Sequence, residues 1–423
     1  MRPFTHTISL AEALGRMREV TRPIERTGMV AVPEAAWRVV ATDVVATRDV
    51  PPFDRAAMDG YAVRASDTTG ATRDRPAMLT CVGVVFSGEA WTSHLGPGEC
   101  VEIATGAPVP DGADAVVMVE QTAPTGPAGG GGPAVPSSDP SQGAAAVGTR
   151  VAVFAHVLPR QHVAPRGGDI GAGHLVLRRG DQLTPARLGA AAALGVTRLE
   201  VFEPPRVFIA STGDELVDTG GLAGTAQIYD VNRTTLPPLV ALHGGVPIVH
   251  PVVGDTLAEL RAALDAARDA DLVVVSGGSS VGTRDLLVDV VAERGDTLFH
   301  GIAVKPGKPT LLARLGSQLL LGLPGNPTSC LSNAYLLLVP LLRATARLPP
   351  LVPQTRRVPL LRTIVSPSDR HQFYTVRLED GHAVAAFKGS GDITSMAGAD
   401  GYIEIPAGID RIEAGATVDV VLF

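Results

Sequence analysis

Only three cysteines, Cys81, Cys100 and Cys330, stand in 423 residues. Their odd number and the lack of C-x-x-C spacing argue against a disulfide framework and against a zinc–cysteine site. Aromatic residues make up 4% of the chain, too few for the stacking platforms that hold single-stranded nucleic acid. A surplus of positive charge is missing too. The formal net charge of −7 leaves no broad basic surface for phosphate backbones, so no nucleic-acid partner is expected, while a local anion site stays compatible. No apolar stretch reaches 18 residues, and the N-terminus has no apolar run with a cleavage site. A cytoplasmic protein without a membrane partner is therefore expected.

What is present is aliphatic and rich in turns. Hydrophobic residues are 45% and charged residues 19%, enough to bury cores and exclude global disorder. With 47 glycines and 34 prolines, short elements joined by many turns fit better than a coiled coil. The length suggests two to four domains.

Ser9-Leu-Ala-Glu12 is a capping box, and Leu10, Leu14, Met17 and Val20 follow at helical spacing, predicting an opening helix. From about Val30 to Glu120 short apolar runs such as 81–86, 100–106 and 115–120 predict a β-rich part. Residues 123–149 carry one charged side chain and almost no large apolar one. They are expected to be a flexible insertion, with β-type sequence resuming at Val151. Thr184-Pro185 predicts an N-cap and first-turn proline for a helix closing at Gly195. Strands at 206–211, 246–253, 272–275, 297–304 and 318–322 then alternate with helices from near Asn232, at 256–269, from about Arg284 and from Pro327. That alternation predicts βαβ units on a parallel sheet. The last 75 residues return to β texture, with a hairpin over 375–387 turning at Asp380-Gly381.

Three loops carry chemistry. The buried strand at 272–275 runs into Ser276-Gly277-Gly278-Ser279-Ser280-Val281-Gly282 before a helix. Such a loop is either a plain strand-to-helix turn or a cradle whose N–H groups approach an anion; the serines and Asp285 one turn later favour phosphate with a metal. Ser211-Thr212-Gly213-Asp214-Glu215 places two carboxylates and two hydroxyls after another strand, suiting a hydroxyl-binding or Mg²⁺-organising role, or a polar helix cap. Lys305-Pro306-Gly307-Lys308-Pro309 is a rigid cationic corner suited to an oxyanion. It is not a Walker loop, because Pro309 follows Gly-Lys. Pro324 lies in the 323–329 loop, which is expected to line a pocket, with Asn326 as N-cap and Pro327 opening a helix. Around the turn expected at 52–61, spacing alone does not decide whether Asp54 and Asp59 are turn formers or acid/base groups.

The strings PPFDRAAMDGYAVR (51–64), ATGAPVPDGADAVV (104–117), STGDEL (211–216), IYDVNR (228–233), SGGSSVG with Asp285, KPGKP (305–309) and LPGNPTS (323–329) occur in one order. Together the chain resembles the molybdopterin molybdenumtransferases, and the similar C-terminal domain of gephyrin, over nearly its whole length. The resemblance implies a multidomain α/β plus β fold: a parallel-sheet molybdopterin-binding α/β domain, two β-rich domains and a helical/extended linker domain. Their spans would be 1–27 with 46–56 and 151–183 for the linker domain, 28–45 with 57–150 for a β-rich domain, 184–346 for the α/β domain, and 347–423 for a C-terminal β-barrel-like domain. It implies insertion of molybdate into adenylylated molybdopterin with release of AMP, requiring Mg²⁺ or Zn²⁺, in a homodimer whose active sites are shared between subunits. The adenylylating enzyme of the same pathway would be a further partner.

By matching motif, Ser211, Gly213, Asp214, Glu215, Ser276, Gly277, Gly278, Ser280, Pro306 and Pro324 would contact substrate, and Asp285 would organise the metal. Asp59 would reach across subunits as a catalytic carboxylate, acting with Asp285, Lys305 and Lys308, while Arg370 and Ser390 would be further molybdate or pterin contacts. Ser279, Thr283, Leu286, Thr375 and Lys388 depart from the family's usual residues. A non-catalytic pterin-binding scaffold and a nicotinamide-nucleotide amidohydrolase sharing the α/β domain are the alternatives.

Overall fold

The computed structural model describes residues 7–127, 147–278 and 286–423. The chain divides into two compact units, one formed by 1–30, 35–41 and 200–423, the other by 31–34 and 42–199.

The first unit is built on a six-stranded sheet ordered Val246–Val249, Arg206–Ser211, Leu272–Ser276, Gln318–Leu323, Leu311–Leu315 and Asp296–His300. The first four strands are parallel, and Ser211, Ser276 and Leu323 stand side by side at their carboxyl ends. Leu311–Leu315 runs antiparallel to both its neighbours, so the sheet is mixed, which corrects the all-parallel expectation. The strand Leu311–Leu315 turns back as a tight hairpin onto Gln318–Leu323, a pairing open to it because antiparallel neighbours need no crossover helix. The run expected at 297–304 is likewise split. Asp296–His300 stays in this sheet, while Val304–Lys305 pairs with His371–Gln372 of another.

Successive strand side chains point to opposite faces, and both faces are covered. Val207, Ile209, Leu272 and Val274 join Leu236, Leu337 and Leu341 in one core, which also takes Ala13 and Met17 of the opening helix Leu10–Val20. Phe208, Ala210, Val273 and Val275 join Leu260, Leu264, Leu287 and Val290 in the other. The opening helix starts where the capping box predicts, with Ser9 Oγ accepting from Glu12 N at 3.1 Å. The C-terminal strands Thr355–Pro359, His371–Glu379, His382–Ala385, Gly401–Ile405 and Thr417–Leu422 form a second sheet. A bridge between Leu360 and Ala383 closes it into a ring around Val376, Ile403, Ile405 and Val420. The hairpin turns at Asp380 (φ 47°) and Gly381 (φ 75°).

The second unit holds a six-stranded sheet ordered Ala115–Met118, Gly60–Val63, Glu99–Ile103, Ala77–Val85, Thr149–Val153 and Thr122–Pro127. The ends of the expected 123–149 insertion are therefore strand, because Thr122–Pro127 pairs antiparallel with Thr149–Val153. Backbone hydrogen bonds supply what its small side chains do not, and prolines 124 and 127 are tolerated because the strand is an edge; 128–146 lie outside the described residues. The helix Pro185–Ala193 has Thr184 as its N-cap. All three cysteines are buried and none is in a disulfide.

Candidate functional site

At the carboxyl ends of the parallel strands, where open α/β sheets bind ligands, lies a cavity of about 560 Å³. Its wall is assembled from the ends of strands Arg206–Ser211 and Leu272–Ser276, the start of the helix Asn232–Leu242, and the loops 254–255 and 324–327.

The Ser276-Gly277-Gly278 turn is locked in place. Gly277 N donates to Leu323 O at 3.0 Å, and Thr212 N donates to Ser276 O at 2.9 Å. Gly277 has φ 91°, and a Cβ on it would stand 2.6 Å from Thr212 O. Two strand ends can approach this closely only with glycine at that position. Ser276, Gly277, Gly278, Gly213, Asp214, Glu215 and Pro324 all line the cavity. Ser211 does not. It is fully buried, with its Oγ 2.9 Å from Ser276 Oγ, so it ties the two strand ends together. Ser280 and Asp285 lie outside the described residues.

Among the described residues, four carboxylates border the cavity: Asp214, Glu215, Asp230 and Asp255. Asp214 Oδ1 accepts from Asp255 N at 2.9 Å. Burial, reinforced by the Asp214 charge, raises the Asp255 carboxyl above the usual carboxylate range. Asp230 and Asn232 are nearly fully buried. Asp230 Oδ1 accepts from Arg233 N at 3.0 Å, and Asn232 Nδ2 donates to Gly325 O at 2.7 Å, tying the helix start to the 324–327 loop. Sequence reasoning assigned no role to Asp230, Asn232 or Asp255; the first two stand in the IYDVNR string, which was the available signal.

The cationic corner does not open whole into this cavity. Pro309 lines it, but Lys308 lies with Asp369 and Arg370 around a separate small pocket. Arg370 donates to Asp369 through Nε at 2.9 Å and Nη2 at 2.5 Å, and that pairing, with Lys308 nearby, holds the Asp369 carboxyl below its usual range. Pro306 is buried behind the corner rather than lining either space. Asn333, also missed in the sequence, holds the loop's shape. Fully buried, it donates through Nδ2 to Gly307 O at 2.7 Å and to Thr310 Oγ1 at 2.6 Å. Ser390 reaches the cavity rim through Asn326, whose Nδ2 donates to Ser390 Oγ at 3.1 Å.

Asp59 belongs to the second unit, exposed in the turn before Gly60–Val63, with Thr105 N donating to its Oδ1 at 2.7 Å. Its neighbour Asp54 has a structural task. Arg160 and the Arg166 N–H hydrogen-bond its carboxylate and hold it below the usual range.

The sequence matches three family descriptions in chain order: MoeA N-terminal region (domain I and II) over 8–195, probable molybdopterin binding domain over 208–344, and MoeA C-terminal region (domain IV) over 357–423. It is 34% identical to molybdopterin molybdenumtransferase 2 of Mycobacterium tuberculosis, covering 98% of each chain. The chain belongs to the molybdopterin molybdenumtransferase family. Membership makes it a transferase of molybdenum cofactor biosynthesis. The Haemophilus influenzae molybdopterin molybdenumtransferase is 36% identical, covering 79% of this chain and 77% of the relative. Among solved structures, a molybdopterin biosynthesis MoeA protein from Pyrococcus horikoshii superposes with a TM-score of 0.81 at 35% identity, covering 99% of each chain. Among the described residues, no helix is long and apolar enough to cross a membrane.

Proposed function

We propose that this molybdenumtransferase binds adenylylated molybdopterin in the 560 Å³ cavity, inserts molybdenum from molybdate into its dithiolene, and releases AMP. The observation that carries the reading is the joining of the Ser276-Gly277-Gly278 turn, the Asp214–Glu215 loop and the Asn326–Ser390 contact around one cavity. The turn's Gly278 N–H and the helix following it favour a phosphate.

Among the described residues lining the cavity the charged side chains are all carboxylates, so an anionic guest there calls for a cation. Among the described residues, no group of three or more His, Cys, Asp or Glu side chains is placed to hold one. Mg²⁺ is commonly held by one or two carboxylates together with substrate phosphates. The oxygen-only donors at the cavity therefore fit Mg²⁺ better than Zn²⁺, and Asp285 with Asp214 or Glu215 would hold it. When bound, Mg²⁺ neutralises charge on the phosphates. Ser276 and the Gly278 N–H orient the phosphoanhydride, Asn326 positions Ser390, and Lys305, Lys308 and Arg370 supply the cationic side for molybdate. The sulfur ligands of the metal come from the substrate, so no cysteine is needed.

The deciding experiment is turnover of adenylyl-molybdopterin with molybdate present and absent. Molybdate-dependent AMP release with formation of the molybdenum cofactor is expected. Its absence, or deamidation of nicotinamide mononucleotide, would overturn the reading.

The assembly part is a homodimer in which Asp59 serves the partner's site. Mixing Asp59→Ala with Lys305→Ala chains would then restore about a quarter of wild-type activity, since about half the dimers are mixed and each holds one intact site of two. Verified heterodimers as inactive as either parent would overturn shared sites.

A further inference from the structure

Cys81 and Cys100 take no part in the site described above. They stand on neighbouring strands of the second unit's sheet, where Ala77–Val85 runs parallel to Glu99–Ile103 and Cys81 is the ladder partner of Cys100. Ladder partners point to the same face of a sheet, and both thiols sit in one core with Tyr61, Val63, Leu79 and Val117. The register slips between Cys81 and Gly83, a bulge that interrupts the ladder beside the first thiol. Paired strands lie about 4.7–4.9 Å apart, and a disulfide accepts Cα separations of about 4.4–6.8 Å. This rung therefore holds two thiols where an S–S bond closes with little movement of either strand.

The two thiols are also unequal. A hydrogen bond with Cys100 pulls Cys81 below the usual thiol range in spite of burial, and the same bond, with burial, pushes Cys100 above it. A thiolate is the nucleophile in cysteine oxidation, and a neighbouring thiol resolves the product. Cys330 supplies the contrast. All three cysteines are 0% exposed, but Cys330 belongs to the first unit and a different core, where burial raises its thiol. Burial is the same for all three, so a difference in reactivity reports the pairing.

We propose that Cys81 and Cys100 form a peroxide-responsive dithiol that closes to a reversible disulfide across this rung. The Cys81 thiolate attacks one oxygen of hydrogen peroxide and the O–O bond breaks. The sulfur keeps that oxygen as a sulfenic acid, and the other leaves as hydroxide, which takes up a proton to become water. The Cys100 sulfur, giving up its proton, then attacks the Cys81 sulfur. The S–O bond breaks, the S–S bond forms and a second water leaves. Two thiols are oxidised by two electrons and one peroxide is reduced to two waters; an added dithiol reverses the bond by exchange. The strand Glu99–Ile103 leads into Thr105, whose N–H holds Asp59, so the cross-link fastens the strand behind that turn. None of this depends on what the cavity binds.

The full wild-type chain is treated with hydrogen peroxide in native buffer, its remaining thiols are alkylated, and its peptides are mapped by mass spectrometry without reduction. A cross-linked Cys81–Cys100 peptide pair is expected, lighter by two hydrogens than the separate peptides. These two thiols should be lost at least about 10-fold faster than Cys330, and dithiothreitol should restore both. Cys100→Ser should leave Cys81 as a sulfenic acid that dimedone captures, while Cys81→Ser should leave Cys100 as slow as Cys330. Loss of the pair no faster than Cys330, a cross-link to Cys330, or a Cys81–Cys100 bond that forms only in urea strong enough to unfold the chain would overturn the proposal. The wild-type map is read without any variant, so misfolding of either serine variant leaves the test intact.

Discussion

Replacing the two glycines of the Ser276-Gly277-Gly278 turn by alanine separates a conformational cost from a collision. Gly278 has φ 63°, inside the left-handed well, where a non-glycine residue costs roughly 1–2 kcal/mol. Its added Cβ would stand 3.0 Å from Thr212 Oγ1, a contact relieved by rotating one hydroxyl. Gly277 has φ 91°, beyond that well, and its Cβ would stand 2.6 Å from the Thr212 carbonyl oxygen. That carbonyl is backbone at the end of a parallel strand whose next N–H groups are bonded across the sheet, so relief requires the strand ends to separate. Adding an overpacking cost to the conformational one gives roughly 3–5 kcal/mol for Gly277→Ala. Amide hydrogen exchange at Thr212 and Gly277, followed by mass spectrometry, reads local opening directly. Gly278→Ala should speed it by about 10-fold and Gly277→Ala by at least about 100-fold, at about 1.4 kcal/mol per tenfold. AMP affinity should fall in the same order. Equal exchange in the two variants, or a larger effect from Gly278→Ala, would refute the reasoning.

Asn333→Ala removes two buried hydrogen bonds behind the Lys305–Pro309 corner and should lower stability by about 2–4 kcal/mol while weakening molybdate binding; an unchanged melting temperature would contradict the role given to Asn333. Asp271 is pushed up by burial, but hydrogen bonds from Arg26 and the Arg206 N–H prevail and hold it below the usual carboxylate range. Its contribution of about 1–3 kcal/mol is present above the unfolded pKa near 3.9 and lost as pH falls through the lower folded value. Urea midpoints of wild type and Asp271→Asn should therefore differ clearly at about pH 7 and converge at about pH 2; a gap that widens in acid would reverse the sign. Asp285→Asn should lower AMP release by about 10²–10³-fold with the fold intact, and wild-type turnover would remove Asp285 from the chemistry.

Local chemistry was legible in the chain itself. Ser9 and Thr184 announce helix starts because a cap needs only its own next turn, and Asp380-Gly381 announces a hairpin because two adjacent residues fix the turn. The glycine–serine turn after Leu272–Ser276 was visible for the same reason, as were the carboxylates of 214–215 beside it. Pairings between distant segments decided the rest. Leu311–Leu315 became a strand by folding back on Gln318–Leu323, and Val304–Lys305 left the α/β sheet for His371–Gln372. Thr122–Pro127 became an edge strand because Thr149–Val153 offered it a ladder. In the same way Ser211 turned to Ser276 instead of the cavity, and Asn333 came to hold Gly307 from 26 residues away. A side chain's direction is set by what packs on its strand or helix, and that neighbour is chosen by the whole fold. Residue types and spacing therefore determined which loops carry chemistry, and tertiary packing decided which atoms face the substrate.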